Sequence, residues 1–439
     1  MNRLQNSIGS ALRNATAGLQ RPELVFGLAL CAVLAACAPQ EVAKPTPVAK
    51  VPAATVTTAA PAPVPAAPPT PIVALPYQEA VNLATRDLFG KADLPEGQSF
   101  NVVIDPLVDG STGVQSVATA TLEKQVVGLV ASDFPRYKVK PLNAANLADA
   151  PLVFIGTFTP INLQGKGAGE RDAYRVCFAL ADLKTGKIVS KGFARSQTAG
   201  IDPTPLPYFR DAPMWVQDSI VEGYIKTCQG TKAGDPINAA YLDKISVAAG
   251  IGEATTAYNN QKYQESLALF TSLLRNPAGD QPRVYTGIYL SSLKLGRREP
   301  AMQLFGKLAH MGLDRKRLAV KFNFQPGSAR LAKDQNAYDR WIKELAMESA
   351  NFAKNSGTCF ELGGHTSRGG SEPLNERLSL QRVEYIKQRL IAQRKELAAI
   401  VSTKGFGSSE PLVATGKGDA SDALDRRVEF KPGPCPVKS

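Results

Sequence analysis

The chain has 439 residues, 44% of them hydrophobic, and its 51 Lys and Arg against 39 Asp and Glu give a net charge of +12. At roughly 100 to 200 residues per domain it holds two to four domains, which excludes a single small module. Two histidines, His310 and His365, and six cysteines without a CxxC pair leave little material for a histidine zinc site, a zinc ribbon, a redox dithiol or a His-dependent triad, so no catalytic residue, metal or cofactor is expected.

In chain order, Arg3, Arg13 and Arg21 surround an apolar core, Leu24 to Leu34, which is too short to span a bilayer and reads as a secretory signal. The core ends in Leu34-Ala35-Ala36-Cys37, which resembles the lipobox of bacterial lipoproteins. The resemblance implies that residues 1–36 are removed and that Cys37 is acylated as the first mature residue. With Ala38 next, it also implies sorting to the outer membrane, lipid-anchored and facing the periplasm. More than one acyl chain is then required, because each buried CH2 contributes only about 0.8 kcal/mol. Residues 37–76 form the tether: Ala38 to Pro76 carries 11 prolines in 39 residues and no aromatic. Such a stretch buries too little surface to fold. Drawn out as polyproline II at about 3.1 Å per residue, it reaches roughly 120 Å.

Residues 77–230 read as an α/β periplasmic domain. Asn101 to Ile104 is a strand running into the Asp109-Gly110 turn, and Val117 to Val130 carries helical spacing. Leu152 to Phe158 is a strand, and Tyr174 to Leu180 pairs by pattern with Lys187 to Ser190 across Lys184-Thr185-Gly186. A mixed α/β sandwich follows. The Asp-Gly turn and the "ALADLKTGKIVSKG" hairpin resemble periplasmic lipoproteins related to the curli secretion lipoprotein and to activators of penicillin-binding proteins. Gln164 to Gly169 has the glycines of a phosphate loop, but no Ser or Thr follows Lys166, so it reads as a hairpin turn. Asp105 and Asp109 are a candidate carboxylate pair, although aspartate beside Pro106 and Gly110 more often serves turn chemistry.

Residues 235–314 carry two helix-turn-helix patterns. Ser266 and Ala301, like Phe270 and Phe305, are 35 residues apart, a period that resembles tetratricopeptide repeats, with Ser266 and Ala301 in the small-residue slot of the second helix. The alternative is a generic helical spacer; either reading makes a surface for an unidentified periplasmic protein partner.

Residues 316–439 begin with an alternating strand, Val320 to Phe324, and an amphipathic helix, Ala337 to Ala353. Cys359 to Thr366 enters a glycine-rich turn, the helix Asn375 to Gln393 follows, and Thr403 to Gly407 and Arg426 to Phe430 close the unit. The motifs "FNF", "GGHTSRGG", "LNERLSLQRVEYIKQRL", "KGFGSSEP" and "DRRVEF" resemble the OmpA-like domain. The resemblance implies a βαβαββ fold and non-covalent binding of peptidoglycan through the diaminopimelate of a stem peptide. Arg382 matches the family arginine that takes the ligand carboxylate, a task suited to a guanidinium fork. Thr366 and Asn375 belong to the same motifs. Ser367 stands where the family has an aspartate for the ligand ammonium, a loss of roughly 1 to 3 kcal/mol that leaves binding weakened, altered or absent. Asp425 stands where the family commonly has asparagine. His365 at a strand end supports the turn rather than acting as a base.

From Lys316 onward there are 21 basic and 14 acidic residues, an excess of seven, which suits carboxylate-rich peptides or anionic lipid; export argues against nucleic acid. In an oxidising periplasm the four remaining cysteines allow three pairings, of which domain membership favours Cys177 with Cys228 and Cys359 with Cys435. The expected fold class is α+β multidomain: an N-terminal mixed α/β sandwich, a short α-helical repeat pair and a C-terminal βαβαββ OmpA-like domain. The expected function is a non-enzymatic outer-membrane lipoprotein linking membrane to peptidoglycan. The alternative is a regulatory or assembly lipoprotein for a cell-wall synthase, secretion or motility machine. An envelope hydrolase would require a nucleophile with its base, or a metal cluster.

Overall fold

The computed structural model describes residues 73–435 except 150, 163, 168–170, 333, 334, 414, 417 and 418. The expectations for the signal, for Cys37 and for most of the tether lie outside the described residues.

The first sheet has the order β2-β1-β3-β4-β5. Strand β1 (Phe100–Ile104) lies parallel to both β2 (Tyr137–Pro141) and β3 (Leu152–Ile161). β4 (Ala173–Asp182) and β5 (Lys187–Gln197) continue antiparallel. All ten residues of β3 are buried, the mark of a strand covered on both faces. Because side chains alternate along a strand, one set (Val102, Ile104, Phe154, Phe158, Phe178) packs beneath α1 (Tyr77–Gly90) and α2 (Val117–Asp133). The other set (Val103, Val153, Ile155, Cys177, Ala179) packs against α5 (Ser219–Gln229), which follows the short helices α3 (Ala144–Ala148) and α4 (Pro207–Asp211). Helix α2 starts at Ser116, whose Oγ accepts the Thr119 amide while Thr119 Oγ1 accepts the Ser116 amide, a reciprocal cap.

After α6 (Ala239–Leu242) come two helical hairpins, α7 (Ile245–Asn259) with α8 (Tyr263–Leu273), and α9 (Pro282–Lys294) with α10 (Arg298–Asp314). Their turns pass through left-handed residues, Gln261 at φ 62° and Gly296 at φ 74°. Ser266 and Ala301 are both fully buried, and the Ser266 hydroxyl of α8 donates to the Ala254 carbonyl of α7 at 2.9 Å.

The second sheet has the order β6-β7-β10-β8-β9, built from β6 (Met214–Val216), β7 (Leu318–Val320), β8 (Cys359–Gly364), β9 (Val401–Gly405) and β10 (Val428–Gly433). Helices α11 (Gln335–Ser356) and α12 (Glu372–Gln393) complete the βαβαββ order from β7 onward. Two details differ from the sequence reading. The first strand ends at Val320 rather than running to Phe324, because β6 and β10 flank it only over residues 318–320, with one further bond from the Lys321 amide to the Pro213 carbonyl at 2.9 Å beside Met214. Phe322 still reaches the core, while Phe324 bridges to Leu331. Strand β6, too short to show alternation, comes from the chain ahead of the hairpins and pairs antiparallel with β7.

Disulfides join Cys177 to Cys228 and Cys359 to Cys435, with Cα–Cα distances of 6.1 and 4.8 Å. The first ties β4 to α5 across the buried face of the sheet. The second ties the start of β8 to the chain beyond β10, whose last residue Gly433 faces Cys359 in register.

Candidate functional site

The turns at one end of the second sheet gather around the first half of α12. After β8, the His365 amide donates to the Arg427 carbonyl at 3.0 Å and the Thr366 amide to the Gly407 carbonyl at 2.8 Å. Glycine is required on this face. A Cβ on Gly364 would collide with the Ser379 carbonyl oxygen, and one on Gly407, at φ 51°, with Glu372; only a bare backbone lets the helix come this close. Glu372 accepts the Ser408 amide at 2.9 Å and Ser379 Oγ accepts the Gly407 amide at 3.0 Å, which fixes the loop after β9 to α12.

Of the residues singled out from sequence, Arg382 is 7% exposed. It leans on the turn after β7: Nε donates to the Ser328 carbonyl at 3.0 Å, Nη2 to the Gln325 carbonyl at 3.4 Å, and its guanidinium carbon lies 4.8 Å above the Phe324 ring. No hydrogen bond runs from it to Ser367, and Nη1 makes none among the described residues. Burial, then the neighbouring Arg426, brings its pKa down to about 10, so the group stays charged. Thr366 is buried with Oγ1 unpartnered. Asn375 is buried beside the turn, its Nδ2 3.5 Å from the Gly370 carbonyl. Ser367 and Arg368 are half-buried at the rim.

His365 stacks on Phe406 with centroids 5.0 Å apart. Burial, reinforced by the Arg427 charge, pulls its pKa down to about 3; the ring is neutral and takes no part in an ion pair with Glu429, 4.0 Å away. Beneath it Arg427 Nε donates to Glu429 Oε1 at 2.7 Å, with both side chains buried. Burial pushes the Glu429 carboxyl up, but Arg427 and its other neighbours together hold it below its ordinary value.

Sequence reasoning missed Arg426. Its Nη2 donates to the Asp419 carbonyl at 2.9 Å and its Nη1 is buried with no partner. The signal was present in the doubled arginine of "DRRVEF", but nothing local distinguishes Arg426 from Arg427, which is spent on Glu429. Asp425 organises the loop between β9 and β10: Oδ1 accepts the Leu412 amide at 2.6 Å and the Val413 amide at 2.9 Å.

In the first unit Asp109 accepts the Ser111 and Thr112 amides at 3.0 and 2.7 Å, the turn chemistry of aspartate. Asp105 is not its partner; Asp105 Oδ2 accepts the Tyr241 hydroxyl at 2.6 Å. Gly165, at φ 78°, turns between the antiparallel β3 and β4, its amide donating to the Asn162 carbonyl at 2.8 Å, and opens no helix. The described residues also hold a groove of about 540 Å³ at the carboxyl ends of β1 and β2, walled by α7 and lined by Glu123, Lys140, Glu253 and Lys262. Among the described residues no group of three or more His, Cys, Asp or Glu has metal-holding geometry, and no helix is long and apolar enough to cross a membrane.

Comparison with known proteins points to the same part of the chain. Residues 323–423 match the OmpA family. Outer membrane protein Omp38 of Acinetobacter baumannii is 32% identical over 93 residues, 21% of this chain and 26% of that protein; the chain thus spans about a quarter of the length of the curated relatives it matches. Among solved structures, the peptidoglycan-associated lipoprotein of Burkholderia pseudomallei aligns at 24% identity and a TM-score of 0.21, covering 26% of this chain and 89% of that one. An outer membrane protein of Borrelia burgdorferi B31 aligns at 23% identity and a TM-score of 0.20, covering 26% and 86%. Residues 323–423, which carry α12 and the turn after β8, are an OmpA-like domain.

Proposed function

We propose that the chain is a non-enzymatic outer-membrane lipoprotein that ties the membrane to peptidoglycan and presents a periplasmic surface to a protein partner. The observation that supports this most is the OmpA family match over residues 323–423; Arg382 lies inside that span and offers a charged, buried guanidinium with Nη1 unspent. Two carbonyl bonds and the Phe324 ring hold the fork still, so a ligand carboxylate meets a preorganised partner and little side-chain entropy is lost on binding. Thr366, Ser367 and Asn375 form the polar rim. The excess of seven positive charges from Lys316 onward favours encounter with carboxylate-rich stem peptides. The likeness to an outer membrane protein and the lipobox at Cys37 support the location, and the proline-rich tether supplies the reach.

Two experiments test it. Purified cell-wall sacculi should sediment the wild-type chain, and Arg382→Ala should weaken that binding by about tenfold or more, the equivalent of at least ~1.4 kcal/mol. Circular dichroism must show the variant folded, since Arg382 also braces the turn after β7; undiminished binding by a folded variant would remove the assignment. Cys37→Ser should release the protein from membranes. A wild type that carries no lipid by mass spectrometry, and a variant that still sediments with outer membrane, would overturn the anchor.

A further inference from the structure

We propose that the face of β4 and β5 left bare at the carboxyl end of α5 rests on anionic phospholipid headgroups, with Phe193 entering the boundary between headgroups and acyl chains. The inference rests on the membrane-anchored reading above and goes further, to a second, non-covalent contact with the lipid surface.

Side chains alternate along a strand, so Lys191, Phe193 and Arg195 of β5 project to the face on which α5 lies, in register with Ala179, Cys177 and Arg175 of β4. The helix covers only part of that face. Cys177 and Ala179 are fully buried beneath α5, whereas Phe193 is 46% exposed, the one exposed aromatic side chain among the described residues. A lone exposed apolar residue is ordinary, but this one stands among cations. The Lys191 ammonium lies 5.2 Å from the ring centroid and donates to the Cys228 carbonyl and to Thr231 Oγ1, with exposed Lys232 next in the chain. Arg175 Nη2 donates to Gln229 Oε1 at 2.6 Å. The Arg195 guanidinium covers the turn at Gly165, where a Cβ would come within 2.7 Å of Nη2, and exposed Lys166 follows. Against these five cations stand Asp172, at the start of β4, and Asp235, which accepts the Lys232 amide at 2.7 Å.

An aromatic ring among lysines and arginines suits a lipid interface: the ring lies at headgroup depth, and each cation attracts anionic headgroups while its aliphatic stem lies along apolar surface. The chain from Cys37 also joins the fold at this place. The Leu75 amide donates to the Arg195 carbonyl at 2.9 Å and the Gln197 amide to the Leu75 carbonyl at 2.8 Å, and Val73, just before them, is 75% exposed. Cys37 lies 36 residues ahead of Val73, so a lipid there keeps this face within roughly 110 Å of the membrane and raises the effective concentration of headgroups around it.

The test uses the chain from residue 37 with Cys37→Ser, which keeps every described residue but has neither signal nor lipid. It should sediment with vesicles of phosphatidylglycerol and phosphatidylcholine, not with phosphatidylcholine alone, and binding should weaken as salt rises. Lys166→Gln and Lys232→Gln, both at exposed positions, should each lower the partition constant by about fivefold, the equivalent of ~1 kcal/mol per cation. Phe193→Trp should show a blue shift of its emission when the anionic vesicles are added. Equal binding to the two kinds of vesicle, or unchanged binding of both Gln variants with no shift at residue 193, would overturn the inference. If the wild type carries lipid by mass spectrometry yet the Cys37→Ser chain ignores anionic vesicles, the anchor stands and this inference falls; if the wild type carries none and the chain ignores vesicles, both fall. A dimer by light scattering that Phe193→Ser dissociates, without vesicle binding, would assign the face to a second copy instead.

Discussion

Asp105 closes β1 with 8% of its surface exposed, and burial pushes its pKa up to about 6 against the opposing pull of the Tyr241 hydrogen bond and the Arg283 charge. Glu123, also chiefly through burial, is pushed up to about 7, and the Asp105 charge adds to the rise. A folded-state pKa above the unfolded one means the native state holds its proton longer. The stability is therefore fully present below about pH 4 and is lost as pH rises through 6. Asp105→Asn, which keeps an acceptor for Tyr241, should match wild type near pH 4 and exceed it near pH 8 by at most roughly 3 kcal/mol, at 1.36 kcal/mol per unit. Denaturation at the two pH values checks this, and a difference that does not change with pH would show that the carboxyl is not the cause. The contrast with Asp109 shows what a sequence discloses. The partners of Asp109 lie within three residues and its turn role was legible, whereas Tyr241 lies 136 residues from Asp105 and no local pattern announces it. The motif around Arg382 was legible in the sequence. The Ser328 and Gln325 carbonyls that aim it, more than 50 residues away, were not.

Elements were legible where a periodicity ran long enough. The helices beginning at Val117 and near Asn375, and the hairpin of β4 and β5, follow from spacing alone. Strand β6 has three residues, shorter than any pattern can reveal, and exists because β7 offers it an open edge. Packing between elements adds demands of its own. Gly192 on β5 faces α1, and a Cβ there would collide with the Ala84 carbonyl oxygen and press on Leu88. Gly192→Ala should therefore lower stability by roughly 1 to 3 kcal/mol. Gly90→Ala, at the open end of α1 with nothing within 4 Å, should be neutral within about 0.5 kcal/mol. Thermal melts of the two variants decide: equal loss, or none at Gly192, would mean that α1 does not seat on β5 as described.

Across the whole molecule one apolar cluster runs from Tyr208 and Met214 through Phe270, Phe305 and Leu313 of the hairpins to Leu345, Val383 and Phe430 of the second sheet and its helices. Phe305 of α10 stacks on Trp341 of α11 at 5.3 Å, so the hairpins and the OmpA-like domain share a core. Phe305→Ala should cost about 3 to 5 kcal/mol and shift unfolding of both together, with tryptophan fluorescence and far-ultraviolet circular dichroism moving in one transition. Two separated transitions would show the cores to be independent. By itself the sequence determined the long periodic elements, such as the helix from Val117 and the hairpin of β4 and β5, the proline-rich stretch and the OmpA-like motifs that contain Arg382, because each is written in residues near one another in the chain. It also favoured the two cysteine pairings, which the structure joins. Only the tertiary structure decided that β6 closes the edge of the second sheet, that the hairpins lend their core to the last domain, and that the turn after β7 takes two hydrogen bonds from Arg382. These depend on segments tens to hundreds of residues apart meeting in space, where burial and the scarcity of acceptors, rather than local spacing, set the outcome.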